Sequence, residues 1–248
     1  MVESGSLSSR PDALRLQYYS NLTAALSGGN FELARTIGEI YGWEMDIMKH
    51  ISGLQLGYKL MPSKKWYVML DDDTYILNGS LKTILGHLNP SLSYYIGNAI
   101  GDYKARFAHG GSAVVFSQEA MHRIVDQNPS VVAKAHLESL DARWGDKLIA
   151  TTAMKCGIYL DERYNYYFNG EAPQITRIRG DRFCAPLISF HKMSPAQMRE
   201  IGRTFKISVT SCLGSIYGRY MERQISTVSS PILFVLIGTM LVEWMKLP

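Results

Sequence analysis

Cysteine is scarce in this sequence. Only three occur in 248 residues, Cys156, Cys184 and Cys212, and no two stand in a CxxC pair. That excludes a zinc ribbon or a thioredoxin-type motif and allows at most one internal disulfide. Phosphate-loop signatures are missing too, with no GxxxxGK[ST] and no GxGxxG. Ser, His and Asp are all present, but no GxSxG elbow is, so a hydrolase triad has no support. Charge of one sign is not in excess. The net charge of +4 is mild and the basic residues are scattered, which argues against a nucleic-acid partner. Internal repeats and low-complexity segments are absent.

Long apolar runs are rare as well. Residues 1–12 are polar and show neither signal peptide nor anchor. The one long apolar run, Pro231 to Val242, is cut off by Glu243 and falls short of the roughly 17–25 residues that span a bilayer. A buried or interfacial helix is the expectation there, with a tail anchor the lesser alternative.

What is present is ordinary globular composition, 46% hydrophobic and 19% charged, enough for one large domain or two small ones. The chain is organised around Trp66-Tyr67-Val68-Met69-Leu70 followed by Asp71-Asp72-Asp73. The apolar part predicts a short buried strand. Three adjacent carboxylates at its end repel one another unless a positive partner is near, and a hard divalent cation prefers oxygen ligands. Open α/β sheets also bind ligands at the carboxyl ends of their strands. The plainer alternative is a solvated acidic turn.

The first 60 residues read as helical. Leu14, Tyr18, Leu22 and Ala25 share one face of a helix closed by Gly28-Gly29. Asn30 caps a second helix with Leu33, Ile37 and Ile40, and a third runs from Trp43 to Leu56. After the triplet, Leu81, Ile84, Leu85 and Leu88 predict a helix capped by Asn78 or Ser80. Strands follow at Tyr94–Gly97 and Ala113–Phe116, then a helix capped by Ser117 and another over Val131–Ala142. Gly110-Gly111 lets backbone approach a ligand closely, or simply makes a turn. Asp146 precedes a helix and is either a chemical group or an N-cap. Ala185–His191 reads as a strand ending in histidine, and Ser194-Pro195 with Gln197 opens a helix with a capping box. A lone histidine there is usually structural; only a partner such as the aspartate cluster makes it a ligand. Alternating strands and helices from Trp66 onward argue for an α/β layer fold.

Four segments in order carry a resemblance. Trp-Tyr-Val-x-x-Asp-Asp-Asp-Thr-Tyr, then Gly-Gly-Ser-Ala-Val-Val-Phe-Ser-x-Glu-Ala, then Gly-Asp opening a helix, then Ser-Phe-His together resemble the fringe-like and core-1 β1,3-galactosyltransferase family, over about residues 43 to 200. The resemblance implies a GT-A-like, Rossmann-like nucleotide-sugar fold. Because about 65 helical residues stand where the family has its first strands, that fold is expected to be incomplete at its amino-terminal edge. The implied division is a helical segment 1–42, a catalytic domain 43–205 and an extension 206–248 with the apolar tail.

By position, Asp73 resembles the metal-binding aspartate, and His191 the histidine completing the ligation of Mn²⁺ (or Mg²⁺). Asp71 and Asp72 resemble the carboxylates that contact metal, ribose or donor sugar. Gly110-Gly111 resembles the segment beside the donor sugar, and Asp146 the catalytic base. The implied activity is inverting transfer of a galactose- or N-acetylglucosamine-class sugar from a UDP-sugar to a glycan or glycoprotein hydroxyl. The implied setting is the Golgi or endoplasmic reticulum lumen, in association with membrane. The alternative is an inactive relative that binds a glycan or a partner. Cys156 and Cys184 either pair, fitting a lumenal compartment, or are free buried thiols. Sequons at Asn21 and Asn78 matter only in the secretory pathway.

Overall fold

The computed structural model describes residues 10, 13–102, 105–172, 185–204 and 232–237. Helix α1 (Leu14–Ser27) folds back on helix α2 (Phe31–Leu60). Leu16, Tyr18, Leu22, Ile37 and Tyr41 pack around Met45 and Met48, and the Tyr18 and Tyr41 rings stack at 3.8 Å. The Asn30 side chain accepts from Leu33 N at 3.1 Å, which caps α2 as its sequence predicts. Where two helices were expected, α2 is one helix that runs on past Trp43. Gly38 and Gly42 each cost about 1 kcal/mol in a helix interior, but burial of Met45, Met48, Ile51 and Leu54 beyond them carries the helix through. The expected boundary at 42/43 lies inside it.

Strand β1 (Trp66–Asp71) leads to a two-residue strand β2 (Tyr75–Ile76) and helix α3 (Asn78–Gly86). Strand β3 (Tyr95–Gly97) and a hairpin of β4 (Ala99–Asp102) and β5 (Ala105–Ala108) follow. Next come β6 (Val114–Ser117) and α4 (Gln118–His122), which widens into a π turn over Arg123–Gln127. Ser117 caps α4 by accepting from Ala120 N. Helices α5 (Pro129–Glu138) and α6 (Gly145–Lys155), strand β7 (Ser189–Phe190), helix α7 (Pro195–Thr204) and strand β8 (Ile232–Ile237) complete the described elements. The capping box of α7 forms as expected, with Ser194 N donating to Gln197 Oε1 at 2.8 Å and Gln197 N to Ser194 Oγ at 3.3 Å.

The main sheet has the order β3-β6-β1-β8. β6 runs antiparallel to both β1 and β3, while β8 runs parallel to β1. Both faces of β1 are covered, which is why it reads as a continuous apolar run. Tyr67 and Met69 join Ile51, Leu54 and Tyr58 of α2 and Leu148, Ile149 and Ala153 of α6. Trp66, Val68 and Leu70 face the other way, against Leu81, Ile84 and Leu85 of α3. The described fold is therefore mixed α/β, with helices on both sides of a small sheet.

The apolar run at 231–242 departs from expectation. Its described part, Ile232–Ile237, is a strand rather than a helix, in register with β1 from Trp66↔Ile232 to Asp71↔Ile237. A short apolar run carries no periodicity to separate strand from buried helix, and here the open edge of β1 decides. Among the described residues, no helix is long and apolar enough to cross a membrane. Only Ser189–Phe190 of the expected strand 185–191 is strand, and the β4–β5 hairpin was not foreseen. Cys156 is a buried free thiol in the helix-side core; Cys184 and Cys212 lie outside the described residues. Asn21 and Asn78 are both exposed and both sit in helices.

Candidate metal centre and its surroundings

The site is assembled at the carboxyl end of β1. Asp71 closes the strand, the chain turns with Thr74 N donating to Asp71 O at 3.1 Å, and β2 begins two residues after Asp73. β2 pairs with β7, Tyr75 opposite Phe190. That short ladder brings His191, the residue after β7, beside Asp73. His191 Nε2 lies 3.2 Å from Asp73 Oδ1 and 4.0 Å from Asp71 Oδ2. One ligand atom from each of Asp71, Asp73 and His191 falls within 4.8 Å of the others. Asp72, between the two aspartates of this group, is exposed.

The protonation of His191 follows from its other nitrogen. Nδ1 stands 3.1 Å from the carbonyl oxygen of Gly170, and since a carbonyl only accepts, Nδ1 carries the proton. Nε2 is then the ring nitrogen that faces the two carboxylates. Asp73 Oδ1, although buried, has no hydrogen bond. Two carboxylates and an imidazole nitrogen converging on one point, one of the oxygens buried without a hydrogen bond, suit a divalent cation with mixed oxygen and nitrogen ligands. Burial pushes the Asp71 carboxyl up to about 7; nearby Asp46, Asp73 and Asp146 add to the shift and His50 opposes it.

The glycine loop shapes the centre. A Cβ on Gly111 would overlap the His191 ring, so the imidazole lies flat against that backbone. Gly110 N donates to Asp146 Oδ2 at 3.2 Å. A Cβ on Gly110 would lie 3.6 Å from Asp146 Cβ and 4.0 Å from Asp71 Oδ2. Only at Gly111 does the missing side chain make the close approach possible; at Gly110 a Cβ would make ordinary contact. Thr74 Oγ1 donates to Gly111 O at 2.9 Å and Ser189 Oγ to Ser112 O at 2.6 Å, tying the loop to β2 and β7. Among the described residues, the non-glycine positions with positive φ are Ala113 at 72° and Lys192 at 56°. Both adjoin the site, where strained backbone concentrates.

Asp146 sits in the first turn of α6, where the helix dipole favours a carboxylate. Its Oδ1 accepts from Lys147 N at 2.8 Å. It is therefore not the N-cap, which is Trp144. Sequence reasoning missed two neighbours. His109, whose ring meets His191 edge-on at 5.2 Å, has its pKa lowered by burial, with His191 adding to the effect. His50 of α2 packs on Gly145, where a Cβ would stand 2.5 Å from its Nδ1. Asp46 and His50 are one helical turn apart, a spacing visible in the sequence, but nothing local ties them to Asp71.

The arrangement suits a divalent cation, with a separate carboxylate close by that can hold or take a proton. Comparison with known families narrows that chemistry: a family model described as Fringe-like matches residues 48–151. The matched stretch holds His50, Asp71 to Asp73, Gly110-Gly111 and Asp146, and stops short of His191. It is consistent with a fringe-like, β1,3-glycosyltransferase family member, and that family implies glycosyltransferase activity.

Proposed function

We propose that this chain is an inverting, divalent-cation-dependent glycosyltransferase on a GT-A-like frame. It moves a galactose- or N-acetylglucosamine-class sugar from a UDP-sugar to a glycan or glycoprotein hydroxyl, in a β1,3-type linkage, in the Golgi or endoplasmic reticulum lumen. The observation that carries this reading is the convergence of Asp71, Asp73 and His191 at the end of β1 with Asp146 alongside, three of the four lying inside the Fringe-like match.

Asp71, Asp73 and His191 hold the Mn²⁺ or Mg²⁺. When bound, that cation supplies Lewis-acid stabilisation of the charge gathering on the diphosphate leaving group. The protein does the rest. Asp146 takes the proton of the acceptor hydroxyl as the new oxygen–carbon bond forms at the anomeric carbon. The old bond to the diphosphate oxygen breaks, and UDP leaves with the electron pair. Gly110 N, donating to Oδ2 of Asp146, aims that carboxylate. Gly111 and the Gly170 carbonyl fix the His191 ring with Nε2 toward the carboxylates. Asp72, exposed beside the cluster, contacts the donor ribose or sugar.

The test is UDP release from UDP-galactose and UDP-N-acetylglucosamine with a glycan acceptor, with and without Mn²⁺. Cation-dependent release that Asp146→Asn abolishes, while UDP binding persists, is the expected result. Cation-independent behaviour, or no release from either donor with any acceptor tried, removes the reading.

A further inference from the structure

Two tryptophans stand in water beside Asp146. Trp43 of α2 is 62% exposed and Trp144 is 43% exposed, whereas Trp66 in the core is 4% exposed. Their rings meet edge to face, centroids 5.8 Å apart at 89°, and the Arg143 guanidinium lies 5.6 Å from the Trp144 ring centre. Such a pair leaves much apolar area in solvent, and exposed aromatic patches mark binding surfaces.

Its place in the fold says which surface. Trp43, Asp46 and His50 recur at i, i+3 and i+7, one stripe of α2. The inner end of that stripe reaches the site, where His50 packs on Gly145, the residue before Asp146. The outer end, Trp43, lies about 10 Å further along the helix by its rise. On α6 the same ordering holds within three consecutive residues, Trp144, Gly145 and Asp146. Asp146 bonds inward to Gly110, and Trp144 turns outward to Trp43. The chain thus runs cation ligands, base, tryptophan pair. A base that takes an acceptor proton must have the acceptor on the side away from the leaving group.

We infer that Trp43 and Trp144 form the platform on which the acceptor pyranose lies; this rests on the transferase reading above. The chemistry fits. One face of a pyranose ring is a patch of C–H bonds, weakly positive and apolar, and an indole face is electron-rich. The five N–H donors of Arg143 serve the hydroxyls at the sugar's rim. The pairing is tolerant of hydroxyl configuration and selects for sugars with an open apolar face.

The test needs neither donor nor cation, so it succeeds or fails separately from the transferase assay. The full chain, in EDTA, is mixed with methyl glycosides of galactose, glucose, mannose, N-acetylgalactosamine and N-acetylglucosamine. Saturation-transfer NMR reads which ring protons touch protein. The expected result is transfer to the C–H protons of one face of at least one glycoside. Its affinity should fall about tenfold, or about 1.4 kcal/mol, in Trp144→Ala, less in Trp43→Ala, and little in Trp144→Phe. Both tryptophans are exposed, so circular dichroism should show the alanine variants folded. Three outcomes overturn the inference. One is no transfer to any glycoside. Another is binding undiminished in both alanine variants. The last is a wild-type dimer, detected by sedimentation and lost in both variants, which would assign the pair to a protein contact.

Discussion

Two clusters of the same residue types lie on different flanks of the molecule. Near α4, Tyr58 donates to Asp126 Oδ2 at 2.7 Å and His122 Nδ1 lies 2.9 Å from the same oxygen. They border a shallow hollow of ≈ 240 Å³ lined by Tyr58, Pro90, Ser91, Gln118, Glu119 and His122. Hydrogen bonding from Tyr58, helped by His122, lowers the pKa of Asp126. At the end of β1, Asp71 is raised to about 7 and Asp73 Oδ1 has no hydrogen bond. One histidine–carboxylate group is satisfied from within; the other is complete only with something added. A hollow accompanies the satisfied cluster, so a hollow by itself does not mark a site that needs something added. Unmet polar demand is the better guide.

The sharpest way to test that contrast is to remove the carboxylate proposed as the base. Asp146→Asn should lower turnover by roughly 10²–10⁴-fold, the usual worth of a general base, with UDP binding retained in calorimetry. Next comes the cation itself. Mn²⁺ at about a hundredfold over its dissociation constant should stabilise the protein by about 2.7 kcal/mol. That is a rise of about 5–10 °C in melting temperature for a chain of this size. EDTA should reverse it, and Asp73→Asn or His191→Ala should abolish it. No such rise in the parent protein would put both clusters in the same structural category.

Gly111→Ala is subtler. The new methyl must displace the His191 ring, at about 1–3 kcal/mol for overpacking, and the Mn²⁺-dependent rise should shrink with it. The smallest effect belongs to the other flank. Tyr58→Phe should cost about 0.5–1.5 kcal/mol in urea denaturation and leave the Mn²⁺ response unchanged.

Local signals were legible. The strand at Trp66, the acidic triplet after it, the Ser117 cap and the Ser194–Gln197 box all rest on neighbours within a few residues, and all form. The proximity of His191 to Asp73 was legible only through the family resemblance, because it depends on the β2–β7 ladder. His50 and His109 were missed for the same reason, and α2 was split because helix propensity at Gly38 and Gly42 says nothing of the core beyond them. The strand at Ile232–Ile237 was misread since an apolar hexapeptide takes whichever backbone its neighbour offers.

That last pairing has a consequence in time. The edge of β1 next to the aspartates meets its partner only after the whole intervening chain has left the ribosome, from Trp66 to Ile232. At ordinary elongation speeds that is a wait of roughly 10–30 s. Throughout it, unpaired N–H and C=O groups along the edge of this largely apolar strand stand open to other nascent chains. Yield in the cell should therefore depend on chaperones that shield this edge more than on the equilibrium stability of the finished protein.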